Sequence, residues 1–262
     1  MKMPEYENIK MKYLFQTICD QGAVRPNNED AVKHGVCADK NIAWMVIADG
    51  MGGHNAGEVA SNLVVDEIER AINELEEAES SDWLCWMEIE INRVNNKIFN
   101  QAKNNSQQMG MGTTAVVAIV DRETCYIGWV GDSRAYLYHF DSENTLTQLT
   151  QDHTMIQALL DKGAITKKEA LQSNNRNMLS RAVGIKQGVE VETLSLPVNM
   201  HDIILLSTDG LHDSLEHLSL EKSIGLIEQG DDITQNLVDE AIRNGSKDNI
   251  TFGSILISDN RK

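Results

Sequence analysis

The sequence predicts an α+β fold in which antiparallel sheets are covered by helices, and three observations carry that prediction. Short runs rich in Val, Ile and Thr recur at 13–19, 31–37, 44–48, 115–120, 125–130, 135–140, 191–196, 203–207 and 250–257, bounded by Gly, Asn or Asp as strands are. Three of them, 115–120, 125–130 and 135–140, are joined by links of only about four residues, long enough for a hairpin and too short for a parallel crossover. Helical segments are interspersed without the regular alternation of a doubly wound sheet.

Taken in order, strands at 13–19, 31–37 and 44–48 open the chain. A helix follows, in which Val59, Leu63, Ile68, Ile72 and Leu75 keep helical spacing while Glu67, Glu69, Glu74, Glu76 and Glu77 face elsewhere, as a solvated surface would. Residues 79–82 break the pattern, and Asp82 offers an N-cap for a second helix reaching Lys103. Its apolar side is read as Trp86, Ile89, Val94, Ile98 and Phe99. Met109 and Met111 are expected to pack at the start of the meander formed by the three linked strands. Residues 151–186 read as short helices punctuated by Gly163, the Asn174-Asn175 pair and Gly184, and further helices cover about 219–229 and 232–244. With no internal repeat and no proline-rich linker, a single domain over 13–258 is expected after a tail at 1–12.

Composition narrows the function. The 262 residues carry 23 Lys+Arg against 40 Asp+Glu, a formal charge of −17, so the chain lacks the clustered cations that bind nucleic acid through phosphate. A hydrophobic fraction of 41% supports a sizeable core. Cys19, Cys37, Cys85 and Cys125 lie far apart with no C-x-x-C pair, which suits idle thiols in a reducing compartment. No stretch approaches the roughly 18 to 20 apolar residues of a membrane span. The expectation is a soluble cytoplasmic protein without membrane or nucleic-acid partners.

Acidic residues gather where strands end. Asn28-Glu29-Asp30 precedes one strand, Asp49 follows another, Asp209 a third, and Asp248 precedes the last. Each alone reads as a turn-forming or capping Asp. Together, on adjacent strands, they would share one edge, where a carboxylate pair about 4 Å apart costs roughly 1 to 4 kcal/mol unless neutralised. An all-oxygen set of this kind selects Mg²⁺ or Mn²⁺ over zinc or copper. The glycines of Asp49-Gly50-Met51-Gly52-Gly53-His54 let backbone approach a ligand closely. No G-x-x-x-x-G-K-[ST] occurs, so this is not a nucleotide phosphate loop.

These segments resemble the metal-dependent protein serine/threonine phosphatases of the protein phosphatase 2C family. The resemblance rests on seven blocks in the family's order. They begin with Asp20-x-Gly22-x-x-Arg25-x-x-Asn28-Glu29-Asp30, Ala48-Asp49-Gly50-Met51-Gly52-Gly53-His54-x-x-Gly57-Glu58-x-Ala60-Ser61 and Met111-Gly112-Thr113-Thr114. Val130-Gly131-Asp132-Ser133-Arg134, Leu149-Thr150-x-Asp152-His153-Thr154, Ser207-Thr208-Asp209-Gly210-Leu211-His212-Asp213 and Gly245-Ser246-Lys247-Asp248-Asn249-Ile250-Thr251 complete them.

The resemblance implies a sandwich of two antiparallel sheets flanked by helices on both sides, with a helical flap over about 151–186 beside the active site. It implies that Asp49 bridges two Mn²⁺ or Mg²⁺ ions, that Asp209 and Asp248 complete one, and that Glu29 and the Gly50 carbonyl serve the other. Asp30 would orient the attacking water, which the two ions share, and Arg25 would clamp the phosphate. Asp132 matches the position of a third, weaker metal site and is also readable as a turn Asp. Phosphorylated proteins, including a cognate bacterial serine/threonine kinase that the enzyme would oppose, would be the partners of a monomeric enzyme.

One position departs from animal-type members, which are similar here but carry a His thought to be the general acid where this chain has Met51. A thioether cannot donate a proton, leaving water at the metals, His54 or His153 as donors, although both histidines also suit structural roles. Arg176 and Arg181, in the flap segment, could touch substrate or simply solubilise helix ends. A hydrolase of small phosphoesters and a non-catalytic module of the same fold are the competing readings.

Overall fold

The computed structural model describes residues 11–37, 40–52, 56–75, 82–140, 145–173 and 177–258. Most of the expected tail, together with Glu76, Glu77, His54, Asn174, Asn175 and Arg176, lies outside the described residues. In chain order the strands and helices are β1 (Lys12–Asp20), β2 (Asp30–Cys37), β3 (Ile42–Met51), α1 (Ala56–Asn73), α2 (Trp83–Asn104), β4 (Gly112–Thr113), β5 (Ala115–Asp121), β6 (Thr124–Val130), β7 (Arg134–His139) and β8 (Thr145–Gln148). There follow α3 (Met155–Asp161), α4 (Lys167–Gln172), β9 (Glu192–Pro197), β10 (Ile203–Ser207), α5 (Asp209–His212), α6 (His217–Ile224), α7 (Thr234–Arg243) and β11 (Ile250–Ser258).

Two antiparallel sheets result, one ordered β1-β11-β10-β7-β8 and the other β2-β3-β5-β6-β9 with β4 appended to β3. The period-2 alternation of each central strand explains why they stack. Along β3, Trp44, Val46 and Ala48 face α1 and α2, while Ala43, Met45 and Ile47 face the other sheet. Along β10, Ile204 and Leu206 meet that inter-sheet layer, while Ile203 and Leu205 pack against Leu220 and Ile224 of α6 and Leu237 and Val238 of α7. The layers therefore run helix, sheet, sheet, helix, as expected from the resemblance.

The expected meander does not survive whole. The hairpin of β5 and β6 forms, but β7 pairs with β10 and β8 in the opposite sheet. The link between them turns at Gly131, whose φ of +109° few other residues adopt, and a Cβ there would meet Thr114 Cγ2 at 2.6 Å. Periodicity could not reveal the switch, because Ile127 and Trp129 of β6 and Ala135 and Leu137 of β7 all point into the same inter-sheet layer. The short polar strand β8 carries one buried apolar residue, Leu146, too little signal for a sequence reading.

The helices follow their patterns with three corrections. Asp82 caps α2 by accepting the Cys85 N–H at 3.1 Å. The buried stripe of α2 is Trp83, Trp86, Met87, Ile91, Val94 and Ile98, and Ile89, two residues from both Met87 and Ile91, is 59% exposed. Met109 is likewise exposed, whereas Met111 is buried. Glu67 is buried rather than solvated, because Arg70 of its own helix and Arg93 and Lys97 of α2 converge on it.

Candidate active site

Ends of strands from both sheets meet at one edge of the sandwich. Asp30 and Asp49 are direct partners in the β2–β3 register, Asp209 begins α5 just past β10, and Asp248 lies just ahead of β11. Arg25, Glu29, Asp49, Gly50, Asp132, Asp209 and Asp248 line one cavity of about 640 Å³. Asp132 arrives there because the chain crosses between sheets at Gly131. Asp30 is buried behind them, its Oδ2 accepting from Thr208 Oγ1 at 2.9 Å and from Thr251 Oγ1 at 2.7 Å.

Local hydrogen bonding holds each piece in place. Thr114 Oγ1 accepts the Asp49 N–H at 2.8 Å while the Thr114 N–H donates to the Asp49 carbonyl at 2.9 Å. Asn249 staples the segment before β2 to the start of β11. Its Oδ1 accepts the Glu29 N–H at 2.9 Å, and its Nδ2 donates to the carbonyls of Gln21 and Asn27. Gly50 permits a close backbone approach, since a Cβ there would lie 2.3 Å from the Gly57 carbonyl oxygen and 2.5 Å from that of Glu29. Asn177 donates through Nδ2 to Asp209 Oδ2 at 3.1 Å and to Asp213 Oδ2 at 3.2 Å, tying the 177–185 segment to the site.

The electrostatics are those of crowded like charges. Burial, reinforced by the neighbouring aspartates, raises Asp49 well above the ordinary carboxylate range. The same causes raise Asp132 to about 8 and Asp209 to about 6. Asp30 is pushed up to about 7 by burial, against the opposing hydrogen bonds of Thr251 and Thr208. Arg25 offsets part of this charge, its Nη2 standing 2.6 Å from Asp248 Oδ2.

These residues fit divalent cations. Among the described residues, no three Asp, Glu, His or Cys side chains stand in a finished ligand cage, with Asp248 drawn to Arg25 and Asp209 to Asn177. Yet Asp209 Oδ1 is buried without any hydrogen-bond partner, a costly arrangement that an ion at this edge would relieve. The donor set is all oxygen, the preference of Mn²⁺ and Mg²⁺.

The remaining sequence candidates separate clearly. His153 is built into the scaffold: Nδ1 accepts the Gly131 N–H at 3.1 Å, and Nε2 faces Glu192 at 3.2 Å. Burial and nearby Arg181 lower its pKa, leaving a neutral imidazole that braces the Asp132 turn. Arg181 lines the cavity but is engaged by Glu192 at 3.0 Å. Thr208, Thr251 and Asn249 lie inside the sequence blocks, and Asn177 in the flap segment, yet none carried an assigned role. Their work is hydrogen bonding across long sequence separations, which spacing does not encode.

Comparison with known proteins places this geometry. The family described as Protein phosphatase 2C matches residues 24–245. Serine/threonine phosphatase stp of Listeria welshimeri is 36% identical over 234 residues, covering 88% of this chain and 91% of the relative. The crystal structure of serine/threonine phosphatase Stp1 from Staphylococcus aureus superposes with a TM-score of 0.83 at 30% identity, covering 98% of this chain and 100% of that one. The catalytic domain of the serine/threonine protein phosphatase PstP, in complex with two manganese ions, superposes with a TM-score of 0.81 at 30% identity, covering 95% and 100%. With the family matching residues 24–245 and a 36% identical relative aligned over 88% of this chain, the chain belongs to the protein phosphatase 2C family.

Proposed function

We propose that this chain hydrolyses phosphoserine and phosphothreonine on proteins, with Asp49, Asp209, Asp248, Glu29 and the Gly50 carbonyl holding two divalent cations. The observation that carries the reading is the meeting of carboxylates from both sheets around one cavity, with an orphaned oxygen on Asp209. In this reading Asp49 would serve both cations, Asp209 and Asp248 would help hold one, and Glu29 with the Gly50 carbonyl would help hold the other. Asp132, at the sheet-to-sheet crossing, offers a third and weaker position.

Divalent cations held by these residues would activate water for attack and offset the charge of the phosphate dianion. The chain's own residues do the positioning. Arg25, already beside Asp248, presents its guanidinium to the phosphate oxygens. Asp30, anchored from behind by Thr208 and Thr251, orients the attacking water from beneath Asp49. Met51 has no proton to give and His153 is committed to Gly131, which leaves solvent in the cavity or His54 to protonate the leaving alkoxide.

The fitting counterpart is a serine/threonine kinase, whose products are the esters this site hydrolyses. No described helix is long and apolar enough to cross a membrane, and a net charge of −17 disfavours nucleic acid as a partner; a monomer working in the cytoplasm is part of the proposal. The test is the purified protein in EDTA, then with Mn²⁺ or Mg²⁺ restored, against a phosphothreonine peptide, nucleotides and sugar phosphates. Turnover should be absent with chelator and return with metal, with the peptide preferred. Full activity in EDTA would overturn the metal assignment, and preference for a small phosphoester would overturn the substrate class.

A further inference from the structure

The cavity is far larger than a phosphate group, and its walls differ. Beside the carboxylates runs the 177–185 segment, which contributes Met178, Leu179, Ala182 and Ile185 along with polar Asn177 and Ser180, and Met51 joins from the end of β3. Met178 is 53% exposed and Ile185 40% exposed. Ile185 and Met51 converge over Gly112, where a Cβ would meet Ile185 Cδ1 at 2.7 Å and Met51 Cε at 2.9 Å. Arg181, in the same wall, spends its charge on Glu192 and Glu190. Apart from Asn177, turned to Asp209 and Asp213, and Ser180, what this wall offers a ligand is apolar surface, and large apolar side chains left open inside a concave site are the informative kind of exposure.

The wall is also held in place before any ligand arrives. Thr113 and Val183 exchange backbone hydrogen bonds at 3.0 and 2.9 Å, the Met155 N–H donates to the Met178 carbonyl at 2.8 Å, and the Ser180 N–H to the His153 carbonyl at 2.8 Å. A surface fixed in this way loses little order when it is covered.

We propose that Met51, Met178 and Ile185 form an apolar subsite that seats a Leu-like side chain within a few residues of the phosphoserine or phosphothreonine of a protein substrate. This rests on the phosphatase reading above and names the kind of protein segment that site takes. The unbranched thioethers of Met51 and Met178 adapt to several apolar shapes, so the subsite accepts a class of side chain rather than one residue. It sits beside the carboxylate edge, so one extended segment reaches both.

The experiment uses Mn²⁺-loaded protein and phosphothreonine peptides of constant net charge, in which a single Leu is moved through the three positions on either side of the phosphoresidue in a Ser background. Free O-phosphothreonine reports hydrolysis without flanking residues. At one or more positions Leu should raise kcat/KM roughly tenfold over Ser, chiefly through KM. That ratio should fall toward one in Ile185→Ser and, independently, in Met178→Ser, whose open side chain makes misfolding an unlikely confounder. Equal turnover of the Leu and Ser peptides, or a preference that persists in both variants, overturns the subsite. Failure to hydrolyse any of these esters would instead overturn the phosphatase reading on which it rests.

Discussion

Two clusters of buried charge in this molecule obey opposite rules. At the seam of α1 and α2, the single carboxylate of Glu67 meets Arg70, Arg93 and Lys97 at 2.7 to 2.9 Å, and their hydrogen bonds overcome burial to hold its pKa down to about 2. At the edge of the sandwich, Asp30, Asp49, Asp132 and Asp209 crowd together with Arg25 as the near cation, and burial drives their pKa values up. The first cluster is paired in charge and fastens two helices, with Arg93 Nη2 its one buried atom left without a hydrogen-bond partner among the described residues. The second is arranged against its own stability, an arrangement that makes sense where a cationic ligand completes the site.

The largest contrast should come from neutralising one member of each cluster. Asp49→Asn or Asp209→Asn should lower kcat/KM by well over about 100-fold, beyond the usual cost of losing an outer-shell partner, while circular dichroism and the melting temperature of the ion-free protein show an intact fold. Substantial residual turnover in either variant would break the assignment of these residues as metal ligands. Glu67→Gln should do the reverse, lowering stability by about 2 kcal/mol in urea unfolding with activity largely retained. An unchanged midpoint would reduce the Glu67 cluster to surface decoration.

Arg25→Ala should raise KM for a phosphopeptide about tenfold with a smaller effect on kcat, and an unaltered KM would remove the phosphate clamp. The pH dependence sharpens the comparison further. Asp30, Asp132 and Asp209 keep protons in the folded chain at pH values where the unfolded chain, near 3.8, has released them. Ion-free protein should therefore lose stability as pH rises from about 4 toward 8, and saturating Mn²⁺ should abolish that slope. Glu67 acts with the opposite sign, contributing above the ordinary 4.5 and losing its contribution as pH falls toward 2. Urea midpoints at pH 6 and 8, with EDTA and with Mn²⁺, measure the upper window. The smallest effect is expected for Asp132→Ala, which should weaken the low-affinity phase of a Mn²⁺ titration and leave the tight phase in place. A titration identical to that of the parent protein would return Asp132 to the role of a turn residue.

The sequence determined on its own what depends on neighbours along the chain. The β5–β6 hairpin follows from alternation and a short link, the start of α2 from Asp82, and the candidate ligands from carboxylates at strand ends beside glycine. All of the latter line or back one cavity. Tertiary structure decided what depends on partners far away in sequence. Whether β7 continued one sheet or joined the other could not be read from its alternation, since both choices bury the same face, and that choice is what brings Asp132 to the site. Glu67 carries the same acidic signal as its solvated neighbours and becomes a buried tie only because Arg93 and Lys97 of a second helix reach it. Thr208 and Thr251 earn their role by meeting Asp30 across the sandwich. Local spacing writes secondary structure and ligand chemistry; side-chain pairing across layers is settled only when the layers pack.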